Sequence, residues 1–477
     1  MAVEPKDSPG VGVDEWVSRS AERKEYLPGW RGDAQRALER VGWWPRLAVA
    51  TAVAVLIPLV IGLNSFQLQV GIDSLLLAIL ALGLNVSVGW AGLLDLGYVA
   101  FYGIGAYGYA LLSSNQLNPP NGIHWPAYFS IPLVMIFAGG VGLAVGWPSR
   151  RLIGDYLAIV TLFFGEAFVE FVNNVAPTKF GGPNGIIAVD PLHGAHVQIT
   201  TLTGYFYVLL ALLVISMAVL HRLDISRTGR GWRAVREDPL AASAMTVPVN
   251  RVKLLAFAIG AMIAAMAGTV FAAQQSNVFP TNFDTPYLIL IYAGLILGGA
   301  GSIWGAVIGG LLVSIVLDGF LRSPTQSSYI FYGVILITIL IKLRPWWRVG
   351  FVIGGTIVFG FVVHAIVAAF SSTAVAGSPG ATDWIDLHWA IVPANPITFG
   401  NICFVALLCL VVTLTQVKGW WRTALMVPTL YIAACAWEAR LSQVPAITRL
   451  LLLGAILIVV MAWRPSGLLG SKRVEIV

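Results

Sequence analysis

The chain alternates long apolar runs with short polar or charged turns, and the runs recur from residue 47 to residue 463. A helix rising about 1.5 Å per residue crosses the roughly 30 Å hydrocarbon core of a bilayer in about 20 residues, a length these runs reach. They are continuous, without the period-two alternation of a barrel strand, so helices are left as the way to satisfy backbone polar groups in lipid. The pattern predicts an all-α polytopic membrane protein. Spans are expected near 47–63, 70–90, 97–113, 127–147, 153–172, 203–221, 251–273, 286–299, 303–320 and 329–345, then near 349–370, 397–416, 422–438 and 447–463.

The polar positions between the runs predict an orientation, because Lys and Arg accumulate in cytoplasmic loops. With the N-terminus inside, the inner loops hold Arg150, Arg151, the seven bases from Arg222 to Lys253, Lys342, Arg344, Arg348, Lys418, Arg422, Arg464, Lys472 and Arg473. Lys179, Arg322, Arg440 and Arg449 are the main bases on the outer side. One topology serves all fourteen spans if "LILIYAGLILGGAGSIWGAVIGGLLVSIVL" is two spans turning inside at "GGAG", the first of them short. Such a segment is either a discontinuous helix beside a pathway or a tightly packed hairpin. Gly301, Gly305 and Gly309, like Gly142 and Gly146, lie four apart and predict close helix packing. The outer loop 173–202, with "TKFGGPNGI", either contacts an external partner or caps the bundle.

Residues 1–46 are polar and lack the apolar region of a signal peptide, so they read as a cytoplasmic arm. Within it "DAQRALERVGWWPR" can lie on the membrane surface, with Trp43 and Trp44 at headgroup level beside Arg46. Two runs end alike, "ILIKLRPWW" and "VVMAWRPSGLLG". The simplest division is therefore a core at 47–348 followed by a four-span extension at 349–477.

Composition agrees with this reading. The chain is 57% hydrophobic, above the roughly 45 to 50% of soluble domains. Its net charge of +6 is explained by cytoplasmic loops rather than by nucleic acid. Cys403, Cys409 and Cys435 lie in apolar runs without metal-ligand spacing, so neither a disulfide framework nor a metal site is expected. The sequence carries no HExxH, GxSxG or GxxxxGK[ST] motif, so no catalytic residue is nominated, and any ATP that drives transport is bound by another chain. Ionisable residues within spans are Asp73, Asp155, Glu166, Glu170, Asp318, His364 and Glu438, with Asp95 at a turn. Acids at a helix centre cost roughly 2.5 to 3.5 kcal/mol and tend to face a bundle interior or a wet cavity. Asp73, Asp155 and Asp318 lie close enough to span ends to reach the interface. Glu166 and Glu170 share a helix face and either line a polar path or form a hydrogen-bonded structural pair.

Although only 11% of the chain is charged, residues 222–253 concentrate charge. "RGWRAVRE" can wind two turns of helix; Asp238 is then a good N-cap, with Pro239 in the first position of a second short helix, "PLAASAM". This bent pair presents a small, smooth face at Ala241, Ala242, Ser243 and Ala244 beside Arg233, Arg236 and Glu237, a shape able to dock in a groove on another protein. The bases alone would also hold topology, but a loop needing only charge has no reason for an Ala-rich helix.

The run "GRGWRAVREDPLAASAMTVPVNRVKLLAFAIGAMIAAMAGTVFA" resembles the coupling region and following span of branched-chain amino acid importer permeases of the LivM type, in the ABC transporter superfamily. The segments "LLAILALGLNVSVGWAGLLDLGYVAFYGIGAYGYALL", "GDYLAIVTLFFGEAFVEFVNN" with "GGPNGI", and "LILGGAGSIWGAVIGG" agree, and together they cover much of residues 70–345. The resemblance implies a type II ABC importer ten-helix bundle in the bacterial inner membrane, to which about four C-terminal spans are added. It implies no cofactor on this chain, ATP and Mg on two cytoplasmic ATPase subunits, a second permease subunit and an extracytoplasmic solute-binding protein. Arg233, Arg236, Glu237, Asp238, Ala241 and Ala242 then look like the ATPase-coupling helix. Asn85, Gly92, Asp95, Gly97, Tyr98, Tyr102, Gly103, Gly105 and Tyr107, with Glu166, are the residues expected to border the substrate path. The chain departs from the family pattern at Thr246, Val247 and Pro248, where a Gly-Ile pair is common, and after residue 348. A urea or amide importer of related design, a fourteen-span secondary carrier and a membrane scaffold are the competing functions.

Overall fold

The computed structural model describes residues 42–117, 121–148, 155–175, 177–194, 198–320, 331–333, 335–336, 339–340, 346–370, 388–391, 393, 396–417, 419–441, 454, 457–458, 461 and 467–469. The arm at 1–41, most of the spans expected at 329–345 and 447–463, and Arg150, Arg151, Arg322, Lys342, Arg344, Lys418, Arg449, Arg464, Lys472 and Arg473 lie outside the described residues. The chain divides into two compact units, one of Met1–Gly310 with Ser466–Val477 and one of Leu311–Pro465.

The first unit is helical. Its long elements are α1 (Trp43–Ile61), α2 (Ser65–Leu84, prolonged by a π-helical turn at Asn85–Trp90), α3 (Tyr98–Leu112), α4 (Ala127–Gly146), α5 (Asp155–Asn174) and α6 (Leu202–Asp224). Two shorter helices follow, α7 (Arg227–Glu237) and α8 (Pro239–Ala244), and then α9 (Val249–Gln275), α10 (Thr285–Gly298) and the larger part of α11 (Ile303–Ser314), which the boundary at Gly310 divides. Among the described residues of the whole chain, seven helices are long and apolar enough to cross a membrane, and shorter apolar helices add to them. The protein is therefore a polytopic, all-α membrane protein.

Helix α2 forms the centre of the first unit, buried from Ile72 through the π turn apart from Asp73 and Val88. Helix α9 packs along α3 and α4. The α3 crossing brings backbones into contact: a Cβ on Gly268 would lie 2.1 Å from the Tyr102 carbonyl oxygen, and one on Gly105 2.2 Å from that of Ala265. Without hydrophobic driving force in lipid, such close backbone approach is what small residues contribute to helix association. Gly142 of α4 faces Ala261 and Phe257 of α9 in the same manner.

Helices α10 and α11 form a hairpin whose glycines interlock: Gly309 faces the Gly294 carbonyl, and Gly305 those of Gly298 and Gly299. This is the packed-hairpin alternative for the glycine-interrupted run. Gly301 is a correction to the expected stripe. It lies in the turn before α11, at φ 94°, and not on the helix face shared by Gly305 and Gly309.

Two ends of the first unit are chemically distinct. At one end lie the π turn, the 299–302 turn and the elbow formed by α7 and α8. At the opposite, loop end, three pairs of two-residue strands tie the connections together: β1 (Ser113–Ser114) with β2 (Ile123–His124), β3 (Ile186–Ile187) with β6 (Asn277–Val278), and β4 (Leu192–His193) with β5 (Gln198–Ile199). His124 Nδ1 also meets Asp190 there, and its Nε2 meets Asn115 Oδ1 at 3.1 Å. Trp43 and Trp44, expected on a surface helix, instead form the first turn of α1. Pro45 beside them is tolerated in a first turn, where its missing N–H is not needed. Trp43 stacks on His221 at 3.8 Å, and Arg222 lies over Trp44 at 5.1 Å, so α1 is anchored to the end of α6.

The second unit contains α12 (Trp346–Phe370), α13 (Pro396–Gln416) and α14 (Trp420–Ala436, prolonged by a π turn at Trp437–Leu441). Ala390, Ile391, Cys403, Tyr431, Cys435 and Ala436 form one of its cores. Buried Glu438 accepts a hydrogen bond from Tyr332 at 2.8 Å, which satisfies a carboxyl in an apolar helix. Residues 467–469, which the sequence assigns to the end of the extension, belong to the first unit.

Candidate functional site

The charged stretch folds as a bent pair of helices. Ser226 caps α7, its hydroxyl accepting from the N–H groups of Thr228 and Gly229 at 3.2 and 3.4 Å. Asp238 ends α7 and caps α8, its carboxylate accepting from Leu240 N and Ala241 N at 2.8 and 3.1 Å, with Pro239 in the first helical position. The end of α8 is a Schellman motif: Val247 N donates to the Ala242 carbonyl at 3.1 Å and Thr246 N to that of Ser243 at 3.2 Å. The motif places Thr246 at φ 63°, a backbone position that glycine favours.

The expected coupling residues divide by environment. Arg233, Glu237, Asp238 and Ala241 are exposed, and Arg233 pairs with Asp224. Ala242 is buried, so it packs inward and does not belong to the smooth outer face. In its place the apolar side chains of Leu240 and Met245 stand 81% and 77% exposed. The Ala-rich pattern of the sequence does not mark these two exposed apolar groups.

Arg236 is half-buried and turned inward. Its Nη1 donates to the carbonyl of Gly89 in the π turn. Its stem packs so closely on Gly92 that a Cβ there would lie 2.8 Å from Arg236 Cγ, and a Cβ on Gly301 would lie 3.1 Å from Nη1. The 299–302 turn is itself bound to the π turn: Gly301 N donates to Asn85 Oδ1 at 2.7 Å, and Trp90 Nε1 donates to the Gly301 carbonyl at 3.1 Å. Trp90 stacks on Trp232 of α7 at 5.8 Å, and fully buried Trp232 donates to the Val252 carbonyl at 2.8 Å. Asn85 Nδ2 is buried with no acceptor among the described residues. The elbow, the π turn and the 299–302 turn thus form one connected node. Single π turns inside α-helices are frequent at functional positions because they displace the helix register locally.

The remaining path candidates fall into three places. Asn85 and Gly92 belong to the node. Asp95 and Gly97 lie in the irregular 91–97 segment, where buried backbone finds side-chain partners. Asp95 N donates to Tyr292 Oη at 3.2 Å, the same hydroxyl donates to the Asp95 carbonyl at 2.8 Å, and Leu96 N donates to Thr161 Oγ1 at 2.9 Å. Tyr98 is buried with its hydroxyl against Gly83. Tyr102, Gly103 and Tyr107 form an aromatic cluster with Phe168, Phe283 and Tyr287, Tyr102 stacking on Tyr287 at 5.5 Å. Gly105 serves the α3–α9 crossing. Glu166 is apart from these, exposed on α5 and accepting from Thr285 Oγ1, whereas Glu170 accepts from Asn174 at 2.6 Å. The two glutamates take different partners. Burial, and then the Glu166 carboxylate, push the Asp284 carboxyl above its ordinary value. Among the described residues no three His, Cys, Asp or Glu side chains gather as metal ligands would.

Comparison with known proteins matches residues 66–340 to the family described as "Branched-chain amino acid transport system / permease component". The chain is 36% identical over 294 residues to the high-affinity branched-chain amino acid transport system permease protein LivM of Escherichia coli (strain K12), covering 57% of this chain and 66% of that protein. It is 34% identical over 326 residues to LivM of Salmonella typhimurium, covering 63% and 73%. LivH of Escherichia coli (strain K12) is 26% identical over 286 residues, covering 55% and 88%. No solved structure matches.

Proposed function

Since the chain belongs to the family of branched-chain amino acid transport permease components, we propose that it is one permease subunit of an ATP-driven importer of branched-chain amino acids. It would pair with a LivH-like sister, take its solute from an extracytoplasmic binding protein, and lie in the inner membrane with its N-terminus and elbow inside. ATP and Mg are bound by two separate ATPase subunits, and no covalent step falls to this chain. Leu240 and Met245 are the apolar anchors that seat α8 on an ATPase, with Arg233, Glu237 and Asp238 as a polar rim, the arrangement of an interface hot spot.

The observation that carries this reading is the bond from Arg236 to the Gly89 carbonyl. A push on α8 moves α7, and Arg236 and Trp232 pass the displacement to the π turn of α2 and to the 299–302 turn. A packed node of this kind shifts between discrete arrangements rather than deforming continuously, which is what alternating access requires. The aromatic cluster about Tyr102 and the exposed Glu166 are assigned by this reading to the route by which solute enters from the loop end.

The test is solute-stimulated ATPase activity in the purified complex with its binding protein. Leucine, isoleucine or valine is expected to stimulate hydrolysis; stimulation by urea or an amide alone points to the related importer class instead. In the same assay Arg236→Glu or Glu237→Lys is expected to uncouple hydrolysis from flux while leaving membrane insertion intact. Coupled transport unchanged in both variants would remove the elbow from the mechanism.

A further inference from the structure

The node has a fourth component from the far end of the sequence. Helix α10 ends at Gly298, and the last carbonyls of a helix have no partner within it. Two of them are satisfied by residues about 170 positions away: Leu468 N donates to the Leu297 carbonyl and Leu469 N to the Gly298 carbonyl, both at 2.9 Å. Gly467 makes this approach possible. It sits at φ 77°, and a Cβ there would lie 2.6 Å from both the Cα and the N of Gly299. The segment it grips runs directly into the turn that hydrogen-bonds Asn85 and Trp90 and lies beside the guanidinium of Arg236.

We propose that residues 467–469 are a positioning strap, which holds the C-terminus of α10 so that displacement of Arg236 moves the 299–302 turn together with the π turn instead of being lost in a slack loop. Along the chain, Leu311–Pro465 then separates the body of the first unit from that unit's own strap, which follows Pro465 almost at once. The assignment deepens the coupling role of Arg236 and rests on it. It concerns residues outside the 66–340 family match.

The experiment uses the complete complex, with sister permease, ATPases and binding protein, reconstituted in vesicles. Gly467→Val blocks the approach to Gly299, and a chain ending at Pro465 removes the strap. Both are expected to assemble and hydrolyse ATP, while leucine moved per ATP falls about five- to tenfold, the scale of a typical coupling free energy. An unchanged ratio in either assembled variant overturns the proposal. Should neither variant assemble, hydrogen exchange on the unsubstituted complex decides. The Leu468 and Leu469 amides are expected to be protected and to exchange differently in nucleotide-free and ATP-trapped states, and equal exchange in the two states overturns the strap. Absence of leucine flux in the unsubstituted complex sinks the importer reading itself, and the exchange measurement still decides the strap.

Discussion

Thr246 holds a left-handed backbone with a β-branched side chain, a conformation that costs roughly 1 to 2 kcal/mol for an L-residue. Thr246→Gly is expected to stabilise the end of α8 by about 1 kcal/mol, seen as slower hydrogen exchange at Val247, whose amide closes the motif. A second residue-scale test concerns packing. Gly268→Val, with the Tyr102 carbonyl 2.1 Å from the new Cβ, should lower the melting temperature sharply, because overpacking typically costs about 1 to 3 kcal/mol or more. Gly140→Val, with nothing within 4 Å, should change it little, and an equal effect of the two would contradict the backbone crossing. At this scale the sequence was only partly readable. It marked Arg236 but turned it outward with Arg233. The spacing held a usable signal: Trp232 and Arg236 are four apart and share a face, and a tryptophan within a charged helix marks the buried side. The Gly89 carbonyl that Arg236 reaches lies 147 positions away, and nothing local discloses it.

Among elements, the bent pair was the most legible, because cap and breaker chemistry is local. Asp238 followed by Pro239 fixes both where α7 stops and where α8 starts. Asp238→Ala is therefore expected to cost about 1 kcal/mol of α8 stability, the usual loss for an N-cap, and to raise proteolytic cleavage within 239–245 without releasing the chain from the membrane. Cleavage no faster than in the unsubstituted protein would show that tertiary contacts alone hold α8. The π turn at Asn85–Trp90 was not legible. No proline or glycine pair announces it; it follows from the need of Asn85 and Trp90 to reach the Gly301 turn, which is a long-range demand. The hairpin of α10 and α11 was left open between two forms, since one glycine stripe suits both, and only the facing glycines Gly294 and Gly298 decide it.

For the whole molecule, hydropathy alone gave a polytopic helical protein, and among the described residues the charged elbow, the π turn and the 299–302 turn lie together. The bonds from Leu468 and Leu469 to the end of α10 were not legible, because a segment of backbone that caps a distant helix carries no hydrophobic signature. The central claim, that a separate motor drives this permease through its elbow, is tested most directly by uptake of labelled leucine into vesicles containing the full complex. Uptake is expected with ATP supplied to the ATPase side and to be lost in Arg236→Glu while hydrolysis continues. Equal uptake driven by a proton gradient without ATP would contradict the account.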